Sequence, residues 1–254
     1  MTELVQHRSG AFAYLPASGT FSNGLVVSAG HRLTDWEFAE PQPLRTAFDR
    51  VDRELTARGL TWQALAGVEL RSPAPFSPQG FADFNAIYAD LLGEYCPLSD
   101  GVLPPYARTN VAPVEVYLSE PCVRAVQIVE PHDGEGGDFV VSGAAEVTTS
   151  VMPEDTIAFG DTSPEGMRAK VDFVVAALAE RVADLGEPIE RATTIDVYTV
   201  HPLDWLESVI GATFLAVGRT GLHRWIAAPP VTGIEFEMGC KRISQRVTLS
   251  IPAS

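Results

Sequence analysis

Apolar residues recur along the chain in two rhythms. Short continuous runs, such as Leu25-Val26-Val27 and Phe139-Val140-Val141, read as buried strands. Between them lie longer stretches with the i, i+3, i+4 spacing of a helix that buries one face. In 43–58 the apolar positions are Leu44, Ala47, Phe48, Val51 and Leu55, and Gly59 follows where such a helix would end. In 81–95 they are Phe84, Ile87, Tyr88, Leu91 and Leu92. The segments 66–70, 111–118 and 123–129 read as strands, and Pro73, Pro75 and Pro78 mark a stiff turn.

The same order then returns. The run 139–144 is a strand. Pro164 opens a helix whose stripe is Met167, Val171, Val174, Val175, Leu178 and Val182, and Gly186 closes it. The β-branched segment 192–200 is a strand, 203–215 a shorter helix, and 231–238 and 243–251 the last strands. Each half predicts strand, helix, strand, helix, strand, strand. This points to an α+β chain with one small domain written twice, each copy a mixed sheet with two helices on one face. The expected boundaries are 1–130 and 139–254, joined by the acidic, glycine-rich linker 131–138.

Composition narrows the function classes. Of 254 residues, 46% are hydrophobic and 20% charged, which suits a folded chain with a core. The net charge of -15 argues against nucleic acid and anionic membrane surfaces as partners. No run is long and apolar enough for a membrane helix, and MTELVQHRSG lacks the apolar stretch of a signal peptide, so a cytoplasmic location is expected. Three widely spaced cysteines form neither a disulfide framework nor a zinc site and read as buried small hydrophobes. His132, Asp133, Glu135 and Asp138 belong to a solvated linker rather than a metal site, and no metal is expected.

Three segments in order carry a family likeness. They are Val27-Ser28-Ala29-Gly30-His31, the helix Phe81 to Leu91 with Asn85 and Tyr88, and Tyr106-Ala107-Arg108-Thr109-Asn110-Val111. In these the first half resembles the Rid superfamily, the reactive intermediate deaminases also called YjgF-like proteins. The second half is a more divergent copy. It keeps Val141-Ser142-Gly143-Ala144 and the strand end Val197 to Leu203, but lacks the helix motif. The resemblance implies a chorismate-mutase-like α+β fold, a trimer with pockets between neighbours, and hydrolysis of enamines or imines to ketones without metal or organic cofactor. The two-domain layout is also similar to the chorismatases.

Imine hydrolysis needs a carboxylate anchor, a proton donor and an aimed water. Arg108 suits the anchor, because a guanidinium meets a carboxylate through two parallel hydrogen bonds. Asn110 is placed to orient substrate or water, and Tyr14 to offer a hydroxyl. Ser28 and Asn85 serve equally well as structural caps or as pocket groups. His31 is a candidate for moving a proton, because imidazole is the side chain type whose ordinary charge change lies nearest neutral pH. His223-Arg224-Trp225 combines a cation, a possible acid and a stacking ring. The family's last-strand Glu, which positions water, has no match in Val126-Gln127-Ile128-Val129 or in Ser244-Gln245-Arg246-Val247. Glu115, Glu235 and Glu237 lie on the preceding strands as substitutes, with Glu235 and Glu237 alternating onto one face. The expectation is a cofactor-independent hydrolase of a small carboxylated enamine, imine or related unsaturated acid, in a homo-oligomer, most simply a trimer. The other readings are a cyclase or tautomerase, a chorismatase-like hydrolase, or a non-catalytic binder of small acids.

Overall fold

The computed structural model describes residues 3–17, 19–99, 101–214 and 217–250. The first half runs β4 (His31–Pro43), α1 (Leu44–Ala57), β5 (Leu65–Arg71), α2 (Pro78–Tyr95), β6 (Ala107–Pro113) and β7 (Cys122–Pro131). The second half runs β8 (Phe139–Ala145), α3 (Pro164–Asp184), β9 (Thr194–Thr199), α4 (Leu206–Thr213), a short α5 (Val217–Thr220), β10 (His223–Ala228) and β11 (Glu237–Arg242). Pairing is the same in both. The strand order is β6-β5-β7-β4 in one and β10-β9-β11-β8 in the other, with β5–β6 and β9–β10 parallel and the remaining pairs antiparallel.

The helices form where the apolar stripes predict. Leu44, Ala47, Phe48, Val51 and Leu55 are all buried in α1. Gly59 follows with φ +68°, a left-handed turn that costs glycine little. In α2, Ser77 caps the first turn by accepting from the Gly80 N–H at 3.1 Å, and Ser163 caps α3 on Gly166 in the same way. Phe84, Tyr88 and Leu92 face inward from α2, whereas Ile87 is largely exposed. Helices α1 and α2 cover one face of the first sheet, with a core around Trp36, Phe48 and Tyr88. Helices α3 and α4 cover the second sheet, around Phe139, Val174 and Phe236. No helix among the described residues is long and apolar enough to cross a membrane.

The edges are exchanged between halves. A hairpin of β2 (Phe12–Leu15) and β3 (Gly24–Val27), preceded by β1 (Val5–Gln6), adds to β8 of the second half. The C-terminal strand β12 (Gln245–Leu249) adds in parallel to β4 of the first. The two sheets also join where Ala227 and Ala228 pair with Pro113 and Ala112. Their bare inner faces meet each other, with helices outside.

Several boundaries differ from expectation. The strand that leads into α1 is β4, not 25–30. Residues 24–27 form β3, and the chain turns at Gly30, with φ +80°, before β4 starts. The segment 111–118 is a strand only to Pro113. The segment 231–238 is mostly turn, and β11 starts at Glu237. The last strand of the second sheet is therefore β11, and 243–251 supplies the added strand β12 instead. The linker is pinned rather than loose. Gly137 and Asp138 pair with Val27, and buried Asp138 accepts from the Leu33 N–H at 2.9 Å. All three cysteines are free and buried.

Candidate active site

Side chains alternate along β6, so Arg108 and Asn110 point to one side, toward α2. Arg108 is 4% exposed. Its Nη1 donates to Oδ1 of Asn85 at 2.8 Å and to Oγ1 of Thr20 at 3.1 Å. Its guanidinium lies over the ring of Phe21 at 4.4 Å, with Tyr88 and Phe81 slightly farther. Burial pulls its pKa down to about 10, so it stays cationic at neutral pH. Asn110 accepts from the Ser72 hydroxyl at 3.0 Å. Its Nδ2 and the Tyr88 hydroxyl are buried and have no hydrogen-bond partner among the described residues.

The edge of β6 abuts the second half. The Arg108 N–H donates to Oγ of Ser142 on β8 at 2.9 Å, and the Ser142 hydroxyl donates to the Ser22 carbonyl. Arg181 of α3 reaches the same corner and donates to the carbonyls of Ser142 and Gly143 at 3.0 and 3.3 Å. Glu237 on β11 lies against Gly143. A Cβ there would collide with Oε1 of Glu237, so glycine makes room for the carboxyl. Burial, reinforced by the charge of Glu146, pushes the Glu237 pKa up to about 8, despite the opposing pull of Arg108, Arg71 and Arg181. The seam thus brings an arginine from one half within electrostatic reach of a carboxyl acid from the other. Glu146 itself holds the chain entering β11. It accepts from the Glu235 and Phe236 N–H groups at 2.6 and 3.1 Å, with the Lys170 ammonium 3.4 Å away.

A second polar cluster ties the inner faces together. Lys241 of β11 donates to Oδ2 of Asp35 on β4 at 2.8 Å and to Oε1 of Glu69 on β5. Arg124 reaches Glu69 at 2.7 Å and Glu37 at 3.2 Å. Gln127 donates to Asp35 at 2.7 Å. Burial alone would raise the Glu69 carboxyl, but Lys241, Arg124 and Arg71 hold it well below its usual range. Burial dominates at Asp35 and raises it.

The model of the 2-aminomuconate deaminase CnbZ family matches residues 4–247. The chain belongs to that family. It is 34% identical over 244 residues to the 2-amino-5-chloromuconate deaminase of Comamonas testosteroni, covering 94% of this chain and 96% of that one. Among solved structures it is similar to a chorismatase, with a TM-score of 0.52 at 11% identity over 95% of this chain and 79% of that one. A cyanuric acid hydrolase gives a TM-score of 0.43 at 12% identity over 86% and 69%. The α+β fold expected from the sequence is shown, and so is membership of a family of hydrolytic deaminases; the chain is an enzyme.

The predicted residues separate into groups on this family scaffold. Arg108 and Asn85 touch, Asn110 shares the Arg108 face of β6, and Glu237 on β11 lies within electrostatic reach of Arg108. Glu235 does not share a face with Glu237. It lies before β11 in the turn that Gly233 permits with φ +89°, and its carboxylate meets Nε2 of His201 at 2.8 Å. Because β11 is the last strand of the second sheet, Glu237 is a last-strand glutamate, which corrects the expectation that neither last strand offers one. Ser28 lies in the turn after β3, and it is Ser142 that meets Arg108. His31 opens β4 with Nδ1 3.3 Å from the Ala29 carbonyl and makes no contact with this seam. Tyr14 faces a separate pocket of about 210 Å³ with Trp62, Cys96 and Tyr106. His223, Arg224 and Trp225 line a separate open cleft with Asp196 and Lys241. Arg181, Thr20 and Phe21 were not foreseen. No local motif marks them: the exchange of edges brings Thr20 and Phe21 to Arg108, and Arg181 reaches the same corner from α3.

Proposed function

We propose that the chain hydrolyses a 2-aminomuconate-type enamine at the seam between β6 and β8. The observation that carries this reading is that buried Arg108 of one half and buried Glu237 of the other lie within electrostatic reach across that seam, in a family of aminomuconate deaminases. Such a substrate is a conjugated six-carbon diacid with an amino group beside one carboxylate. Arg108 binds that carboxylate in place of its contacts with Thr20 and Asn85. Neutral Glu237 donates its proton to the enamine carbon, and the C2–N bond becomes an iminium. A water then adds to C2 and gives up a proton to the Glu237 carboxylate. The carbinolamine expels ammonia and leaves the ketone, so that enamine and water become ketone and ammonia. The unpartnered Asn110 amide is available to hold the added oxygen. Proton transfer precedes water attack here, so an enamine-to-imine tautomerase is the half-reaction of the same scheme.

The assay is ammonia release from 2-aminomuconate by wild type and Glu237→Gln. Release by wild type and its loss in the variant are expected; no release by wild type would sink the reading. The repeated connectivity supports a tandem duplication with domains 1–130 and 139–254, of which the edges are traded. Val114, Val116, Tyr117 and Ile226 are large apolar side chains left exposed near the β6–β10 junction. They support self-association, and we propose the trimer, to be measured by light scattering, in a cytoplasmic enzyme.

A further inference from the structure

The repeated connectivity gives the molecule a second seam. In each half a central valine sets the register. Val68 on β5 is flanked by Arg108 on β6 and Val126 on β7. Val197 on β9 is flanked by Arg224 on β10 and Met238 on β11. Arg224 is therefore the positional counterpart of Arg108. One step along, Glu69 pairs with Ala125 and Tyr198 pairs with Glu237. Ala125 stands where the second half has its acid. The second seam keeps the arginine and lacks the glutamate.

The seams also differ in packing. At the first, Ser142 and the loop carrying Thr20 and Phe21 close over Arg108. At the second, β10 faces β7 and β12 across an open cleft of about 390 Å³. The permanent cations Arg124, Arg224, Lys241 and Arg246 line it against Glu37 and Asp196. Lys241 and Arg124 are engaged by Asp35, Glu69 and Glu37. Arg224 has no carboxylate partner among the described residues, and its Nη2 reaches only the Leu203 carbonyl at 3.4 Å. Arg246 is half exposed beside Glu37 at 3.1 Å. The cleft also presents Trp225, whose Nε1 donates to Asp196 at 2.8 Å and whose ring lies under the Arg124 guanidinium at 5.1 Å. Asp196 is 3.4 Å from Nδ1 of His223, and that hydrogen bond raises the imidazole pKa.

We infer that this open seam is a second, non-catalytic site for a small carboxylate, gripped by Arg224 and Arg246 at the rim of the cleft. A guanidinium pair supplies forked donors for carboxylate oxygens. With Ala125 in place of an acid, the bound molecule is held and not turned over. Nothing in this site depends on turnover at Arg108.

The test is isothermal titration of cis,cis-muconate, a planar diacid without the amino group, into the full chain. Two sites per chain are expected. Arg108→Ala should leave one, and Arg224→Ala/Arg246→Ala should weaken that one by about tenfold or more. The inference is overturned if Arg108→Ala abolishes all muconate binding, or if Arg224→Ala/Arg246→Ala leaves both sites intact. Should Arg108→Ala fail to fold, the stoichiometry of the exposed double variant decides: a fall from two to one supports the second site, and no fall overturns it. Failure of the deaminase reading shows separately, as absent ammonia release by wild type at any stoichiometry.

Discussion

A glutamate whose pKa sits near 8 is half protonated under mildly alkaline conditions, and that sets two measurable pH dependences at Glu237. As proton donor it works only while neutral, so kcat should fall as pH rises through about 8. Glu237→Gln should remove that limb and lower kcat by about 10²–10⁴, with KM little changed, because Arg108 still holds the substrate. Stability follows the same proton. The folded pKa is raised above the ordinary 4.5, so the native state binds more protons than the unfolded chain between 4.5 and about 8. Stability is full below that window and is lost as pH rises through it, by on the order of 5 kcal/mol for a shift of this size. Urea unfolding of Glu237→Gln should show a flatter pH dependence and a higher midpoint than wild type at pH 9. An unchanged midpoint there would mean that the carboxyl is solvated. Arg108→Lys is the companion variant. It keeps the charge and loses the fork, so kcat/KM should fall by about tenfold or more, chiefly through KM.

At the scale of elements, β8 makes the site by leaving something out. Gly143 does not have a positive φ, so alanine is compatible with its backbone, yet the added methyl would meet the Glu237 carboxyl. Gly143→Ala should therefore cost activity at little cost in secondary structure, read as ammonia release against circular dichroism. Gly143→Ala/Glu237→Ala should recover the thermal midpoint that the single substitution loses, since the colliding group is gone. The helices around this corner were legible from sequence, because Val171 to Val182 and Leu44 to Leu55 each bury a single stripe. Strand β4 was not. Its segment carries Arg32, Asp35, Glu37 and Glu40 among its apolar residues and looks like a loop. In the fold Trp36 and Phe38 face the helices, while Asp35 faces Lys241, so the charge is a partner inside rather than a mark of solvent. Glu237 was named as a candidate acid but misplaced. Once 231–238 was read as one strand, the acid was assigned to the wrong strand and Glu235 to its face. Arg108 and Asn85 were found because the family motif lies in continuous sequence; Ser142 meets Arg108, and Arg181 meets Ser142, only through the packing of one half on the other.

At the scale of the whole molecule, the halves are held together by traded edge strands and by one buried lysine. Lys241 belongs to the second half, and Asp35 and Glu69, its two carboxylate partners, belong to the first. Removing one member of a buried ionic cluster costs more than the pair is worth, because the remaining charges stay desolvated. Lys241→Met should therefore destabilise the chain by about 3–5 kcal/mol, against a small gain from the apolar side chain itself. The loss should depend on pH. Without the lysine Asp35, already raised by burial, loses its main counter-charge and binds protons still more readily in the folded state, while Glu69 keeps Arg124 and Arg71, so the variant's stability falls as pH rises through the raised range of Asp35. The gap between wild type and variant in urea should be wide at pH 8 and narrow at pH 5. The double change Lys241→Met/Asp35→Asn should recover much of it at pH 8, since Glu69 is still met by Arg124 and no uncompensated carboxylate then faces the second sheet. A gap that is equal at both pH values would assign the lysine's contribution to packing, and would leave the exchanged strands β3 and β12 as the principal tie between the halves.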